Sequence, residues 1–224
     1  MAAGPAAEFD KMKLTLEALA SAVIEQMQTL EKAAIDGDQA ALKRIVDKDK
    51  EIDDLELTID RLCLSFMEMR APIGPDFRFV VGAADIARSM ERIGDCIEYV
   101  ARHVAESPKM AQEFPKGWSI ITDMMDRCLA ILLMIQRSWA RSDAKAAKAI
   151  PAHDDDVDAL QKKMYVQIKT DVRSGEVDVG VAMVAMLIVN KLESLADVAC
   201  HIAESIVYVI LAKQIRHSKA EQRL

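Results

Sequence analysis

The sequence predicts an all-α protein, two tandem three-helix bundles made of six long helices, on three observations. Aromatic residues are few, five Phe, three Tyr and two Trp, and no β-branched or aromatic runs alternate between regular turns. Apolar residues recur at helical spacing through long segments, punctuated by a handful of Gly and Pro. The chain also repeats itself. The stretch Asn190 to Glu204, NKLESLADVACHIAE, overlays a helix 102 residues earlier (91 to 193), with Glu91 on Glu193, Ile93 on Leu195, Asp95 on Asp197 and Ala101 on Ala203. A second overlay at 105 (49 to 154) lays Asp49, Asp53 and Leu55 on Asp154, Asp158 and Leu160. Two collinear matches at nearly one offset mark a tandem duplication. The 224 residues then divide into two units of ordinary domain size.

The first helix is read from Phe9 to about Ile35, with Met12, Leu16, Leu19, Val23, Met27 and Leu30 on one face. Asp36-Gly37-Asp38 ends it, Gly37 as a C-terminal cap and Asp38 as the N-cap of the next helix. Helix two runs to Met69 on a stripe of Leu42, Ile45, Ile52, Leu55, Ile59, Leu62 and Phe66. Pro72, Gly74 and Pro75 stop it. Helix three follows from near Asp76 to about Ala105, turning Phe79, Ala83, Ile86, Met90, Ile93, Ile97 and Val104 inward.

The segment 106–119, with Pro108, Pro115 and Gly117, breaks the periodicity and is read as the linker between bundles at 9–106 and 117–215. The second copy repeats the plan. A helix runs from Trp118 to Ala140, and Ser142-Asp143 cap the next, in which Pro151 is expected to interrupt or kink. Ser174-Gly175 turn into a last helix from Asp178 to Ile215. Helices of this length joined by short turns pack antiparallel, each burying one stripe.

A net charge of −7 argues against a nucleic-acid binder, which carries a basic patch, and suits a surface that attracts cations. Cys63, Cys96, Cys128 and Cys200 show no CxxC pair or zinc-type spacing and read as small core residues in a reducing compartment. The first eight residues lack the basic and apolar regions of a signal peptide. The longest apolar run, Val177 to Leu187, is shorter than the roughly 20 residues of a membrane span. A cytoplasmic location is the simplest expectation.

The chemistry gathers on the acidic faces. At about 100° per residue, Glu91 and Asp95 fall about 140° and 180° from Ile86, outside the apolar stripe, and Glu193 and Asp197 repeat this from Ile188. Residues at i and i+4 share one face. Asp53 and Asp95 lie equally far before and after Gly74 (53 to 74 to 95), so antiparallel helices bring them level. Asp49 should lie near the same height, with Asp154 and Asp158 level with Glu193 and Asp197. Each copy thus assembles about four carboxylates. All-oxygen sets suit Mg²⁺ and similar hard cations, while Fe and Mn, and Zn with a histidine, also accept them. Outer acidic faces are ordinarily just solvated. The repetition in both copies, and the like charges one turn apart, favour a counter-ion. His201 lies about 80° from Glu193 and is a further candidate ligand, though a lone helical histidine is more often a packing residue. Arg70, Arg78 and Arg88 are read as ion-pairing with Asp76 and Asp85.

Arg70-Ala-Pro-Ile-Gly-Pro-Asp-Phe-Arg78 resembles the turn RQPVAxDLR of the PhoU phosphate-uptake regulators, and Met90-Glu-Arg-Ile-Gly-Asp95 resembles their LERIGD motif. Leu192-Glu-Ser-Leu-Ala-Asp197 is a degenerate second copy. The likeness runs from Phe9 to about Leu211. Ala71, Gly74 and Phe77 replace the family's Gln, Ala and Leu in the turn, and Ser194 and Ala196 its Arg and Gly in the second motif. The resemblance implies a cytoplasmic regulator that is not an enzyme. Such a protein represses phosphate uptake and the phosphate-starvation regulon as an adaptor between a Pst-type ABC transporter ATPase and a phosphate-sensing histidine kinase. It would be peripheral to the membrane through the transporter only. The resemblance also implies metal, often a multinuclear iron cluster, at Glu91/Asp95 and Glu193/Asp197. A metal-bridged homodimer is a further expectation. The alternative is a helix-bundle iron-handling or di-iron protein without a signalling role, but no Glu is followed three residues on by His, as such sites require.

Overall fold

The computed structural model describes residues 5–213, with side chains over 7–46 and 50–213. Seven helices and no strand occur among them: α1 (Pro5–Asp36), α2 (Gln39–Arg70), α3 (Gly74–Glu106), α4 (Met110–Glu113), α5 (Pro115–Ala140), α6 (Ala144–Ser174) and α7 (Val179–Leu211). The six long helices form two three-helix bundles, α1–α3 and α5–α7.

Local chemistry accounts for the ends. Gly37 adopts φ +68°, and Asp38 then accepts a hydrogen bond from the Ala41 amide at 2.9 Å to start α2. Asp143 does the same for Lys145 and Ala146 at the head of α6. Gly175, at φ +74°, closes α6. Helix α6 runs unbroken through Pro151, against the expected interruption. The proline removes one backbone donor near the start of the helix without ending it.

The apolar stripes form the core. Met12, Leu16, Leu19, Val23, Met27 and Leu30 of α1 are all buried, as are Ile86, Met90, Ile93 and Ile97 of α3. Each such side chain stabilises the fold by about 1.5–3 kcal/mol relative to exposure.

The segment between the bundles is an ordered connection. It winds into the short α4 and buries Met110 and Phe114 completely. A β-carbon on Gly117 would stand 2.1 Å from the Phe114 ring, so that glycine makes room for the aromatic anchor.

The two bundles share a broad interface in which α3 and α7 run antiparallel. Gly82 meets Val209, the Ser205 hydroxyl donates to the Asp85 carboxylate, and Lys191 lies 5.3 Å from the centre of the Tyr99 ring. With equal rise on both helices, this register brings Gly94 level with Ala196. These are the positions that the repeat itself equates, so the halves are related by a pseudo-two-fold axis through that crossing. On the other side α1 crosses α5, where Gln136 donates to Ser21, and Phe79 of α3 reaches Trp139 at 5.8 Å between ring centres.

Helix α7 bears on the expectation that no membrane span is present. Its 33 residues are long and apolar enough to cross a membrane by length and composition. Counting only an uninterrupted apolar run missed this, because Lys191, Glu193 and Asp197 break the run without removing the overall apolar character. Here α7 packs against α3, α5 and α6, burying Ile188, Leu192, Leu195, Ala199 and Ile202.

Candidate functional site

On the first acidic face Asp95 is exposed, while Glu91 beside it on α3 and Asp53 on α2 are half-buried. Partial burial pushes the Asp95 carboxyl above its ordinary value, and the charge of Asp53 adds to this, with Glu98 a smaller contributor. Lys191, from α7 of the other bundle, opposes the shift. The α2–α3 hairpin therefore does bring Asp53 within the field of Asp95. The face extends further along α2. Glu56 is pushed up by burial and then by Asp60, with Asp53 contributing, and Arg88 of α3 reaches Asp60 at 3.9 Å.

The second face follows the same plan with different neighbours. Glu193 is half-buried, and burial pushes its carboxyl up, followed by the charges of Asp197, Asp158 and Asp154 in that order. The other three carboxylates named from the sequence for this copy all act on Glu193, and no cation figures among the groups acting on it. Lys162 stands 3.4 Å from Asp158 on the exposed side of α6.

Several placements differ from expectation. Asp154 is only 7% exposed and lies on the buried stripe with Ile150 and Val157, rather than on an outer face. Helices α5 and α7 pack on α6, and the angular reading of one helix did not include them. His201 is exposed and has its Nδ1 3.5 Å from Glu204 of its own helix. The side chain of Asp49 lies outside the described residues. Near the α2–α3 turn, Arg70 reaches Glu8 of α1 at 3.3 Å, and Asp85 accepts from Ser205 of α7.

Among the described residues, no three His, Cys, Asp or Glu side chains stand together as a ready ligand set. The carboxylates interact through their fields. Their chemistry fits a hard cation: oxygen donors only, with Asp95 and Glu193 pushed above their ordinary values by partial burial and neighbouring carboxylates. Sequence reasoning missed Glu56 and Asp60, though their spacing of three and seven from Asp53 puts them on its side of α2. It also missed Lys191, which no local pattern could reveal, because it arrives from the other repeat.

Comparison with known proteins adds an independent line. The chain matches the PhoU domain over residues 16–104 and again over 121–206. A phosphate-specific transport system accessory protein PhoU homolog from Zymomonas mobilis is 28% identical over 187 residues, 84% of this chain and 78% of that protein. The phosphate-specific transport system accessory protein PhoU of Escherichia coli K12 is 23% identical over 211 residues, 94% of this chain and 87% of that one. In architecture the chain is similar to the crystal structure of PhoU from Pseudomonas aeruginosa, with a TM-score of 0.87 at 24% identity over 92% of this chain and 99% of the other. The phosphate transport system regulatory protein PhoU from Streptococcus pneumoniae gives 0.83 at 19%, over 95% and 99%.

Proposed function

The chain belongs to the PhoU family, and from that premise we propose that it is an accessory regulator of a phosphate transport system that works by binding rather than by catalysis. In this reading it acts in the cytoplasm, docks on the ATPase of a Pst-type phosphate transporter and on a phosphate-sensing histidine kinase, and holds uptake and the starvation regulon down when phosphate is ample. It meets the membrane through the transporter only, and it pairs with a second copy. The names of its relatives support the link to phosphate transport.

The observation that carries the site is the duplicated carboxylate field, Asp53 acting on Asp95 in one bundle and Asp154, Asp158 and Asp197 acting on Glu193 in the other. Glu91, Asp95, Glu193 and Asp197 would hold the cation, with Asp53, Asp154 and Asp158 beside them. A bound divalent ion would supply charge neutralisation and a bridge between helices or subunits. The chain's own residues would set where that charge sits, beside the α3–α7 crossing at Gly94 and Ala196.

A phosphate-starvation reporter, read in phosphate-replete cells lacking the gene, tests the regulator reading. It should switch on and return to repression when the gene is restored; a silent reporter in the deleted strain counts against it. Calorimetry with Mn²⁺, Fe²⁺ and Mg²⁺ tests the site, since Asp95→Ala combined with Asp197→Ala should remove the binding. Heat that survives the double substitution would mean the cations sit elsewhere.

A further inference from the structure

Between the bundles, α1 and α3 face α5 and α7 across a cavity of about 410 Å³, within the roughly 300–1,000 Å³ of small-molecule pockets. Its walls are apolar, from Leu16 and Ala20 of α1, Ile86 and Met90 of α3, Ile135 of α5 and Ile206 of α7. Its rim is polar. Gln136 Nε2 donates to the Ser21 hydroxyl at 3.3 Å, tying α5 to α1. Arg137 and Arg141 stand one turn apart on α5 and also line the space. Neither guanidinium makes an ion pair among the described residues. Glu17 shares the rim, so two cations face one anion.

The duplication supplies a built-in comparison. The N-caps Asp38 and Asp143 set α5 at 105 residues from α1 (38 to 143). On that register Ala20 corresponds to Met125, which is fully buried. A flexible methionine occupies in one half the volume that alanine leaves open in the other. Ser21 and Gln136 correspond to Asp126 and Glu31, and Arg137 and Arg141 to Lys32 and Asp36. The related location therefore carries a larger buried side chain and carboxylates, with burial and the charge of Asp126 pushing Glu31 up. The paired arginines occur in one half alone, beside the open cavity.

We propose that this cavity binds a small amphiphilic anion, a carboxylate or phosphate monoester with an apolar tail. The tail lies between Ala20, Met90 and Ile206, and the head group meets Arg137 and Arg141. Two guanidiniums one turn apart repel each other until an anion bridges them, and their forks match carboxylate and phosphate oxygens. The acidic faces, by contrast, attract cations, so this site lies outside the regulator reading and stands or falls separately from it.

Trp139 lines the cavity and gives the readout. The chain has two tryptophans, so Trp118→Phe leaves Trp139 as the single indole. Decanoate titrated below its micellar range should change that fluorescence saturably. Ala20→Met, which copies the second repeat, should abolish the change. Arg137→Gln with Arg141→Gln should weaken decanoate by about tenfold or more and leave decanol unaltered, because only the charged head loses partners. No response to decanoate, or an equal effect of the arginine substitutions on decanoate and decanol, overturns the proposal. So does a decanoate response that persists in a folded Ala20→Met protein. The arginine positions are exposed, so the charge test holds even if Ala20→Met does not fold.

Discussion

Glu193 shows how a single carboxyl can report its surroundings. Burial and three neighbouring carboxylates push its folded value above the unfolded one. For an acid shifted this way, the ionised form is the disfavoured one in the fold. The resulting cost to stability is fully present above the folded value and disappears as pH falls below the unfolded value, about 4.3 for Glu. Glu193→Gln should therefore raise the melting temperature at pH 7, by an amount equivalent to about 1 kcal/mol or less given partial exposure. The gain should vanish in melts near pH 4. A substitution that lowers Tm at pH 7 would show that the carboxylate makes favourable contacts instead. Lys191 gives the complementary case, since it already offsets the charge around Asp95. Lys191→Gln should make Mn²⁺ binding on the first face severalfold tighter by calorimetry, with the second face unchanged. At this scale the repeat made Glu91, Asp95, Glu193 and Asp197 legible as matched positions on α3 and α7. It could not reveal that Asp154 is buried or that Lys191 faces Asp95, because both depend on helices from distant parts of the chain.

At the scale of elements, apolar spacing and caps identified all six long helices, because each rests on local rules: a stripe every three or four residues, a glycine at φ > 0, an aspartate at an N-cap. The segment 106–119 was legible as the connection between bundles, but its packing was not. Its prolines break periodicity, but Phe114 over Gly117 is a tertiary anchor that periodicity cannot show. Gly82 tests how closely α3 and α7 approach. A β-carbon there would meet Val209 Cγ2 at 2.2 Å, so Gly82→Ala should cost about 1–3 kcal/mol in urea denaturation. Adding Val209→Ala should recover part of that loss, a coupling that a double-mutant cycle measures. Strict additivity of the two changes would mean that the helices move apart rather than clash.

For the whole molecule, the shared interface predicts that the two bundles unfold together. The cysteines can report this. Cys128 is fully buried and its thiol is pushed far up by burial, and Cys63 is pushed up to about 11 for the same reason, while Cys200 is half-buried. The thiolate is the reactive form. Labelling with a thiol reagent should modify Cys200 first, and Cys63 and Cys128 should then react at one common rate set by global opening. If Cys63 of the first bundle reacts well before Cys128 of the second, the bundles open independently. The tandem repeat made two bundles legible from the sequence. Their close antiparallel docking was not legible, since no spacing along one chain states which faces of two units meet.

The crossing at Gly94 and Ala196 carries a last consequence. A repeat that packs against its own duplicate about a two-fold axis is, geometrically, a homodimer whose subunits have been joined into one chain. In a true homodimer every substitution appears twice, so an arginine pair introduced on one side must also appear on the other. Joining the halves lifts that constraint everywhere, even at the axis, where Gly94 faces Ala196. This chain uses the freedom: one end of the α1–α5 seam carries Arg137 and Arg141 around an open cavity, the other Glu31 and Asp126 beside the buried Met125. Duplication supplied the scaffold, and covalent linkage allowed its two ends to take on opposite charge.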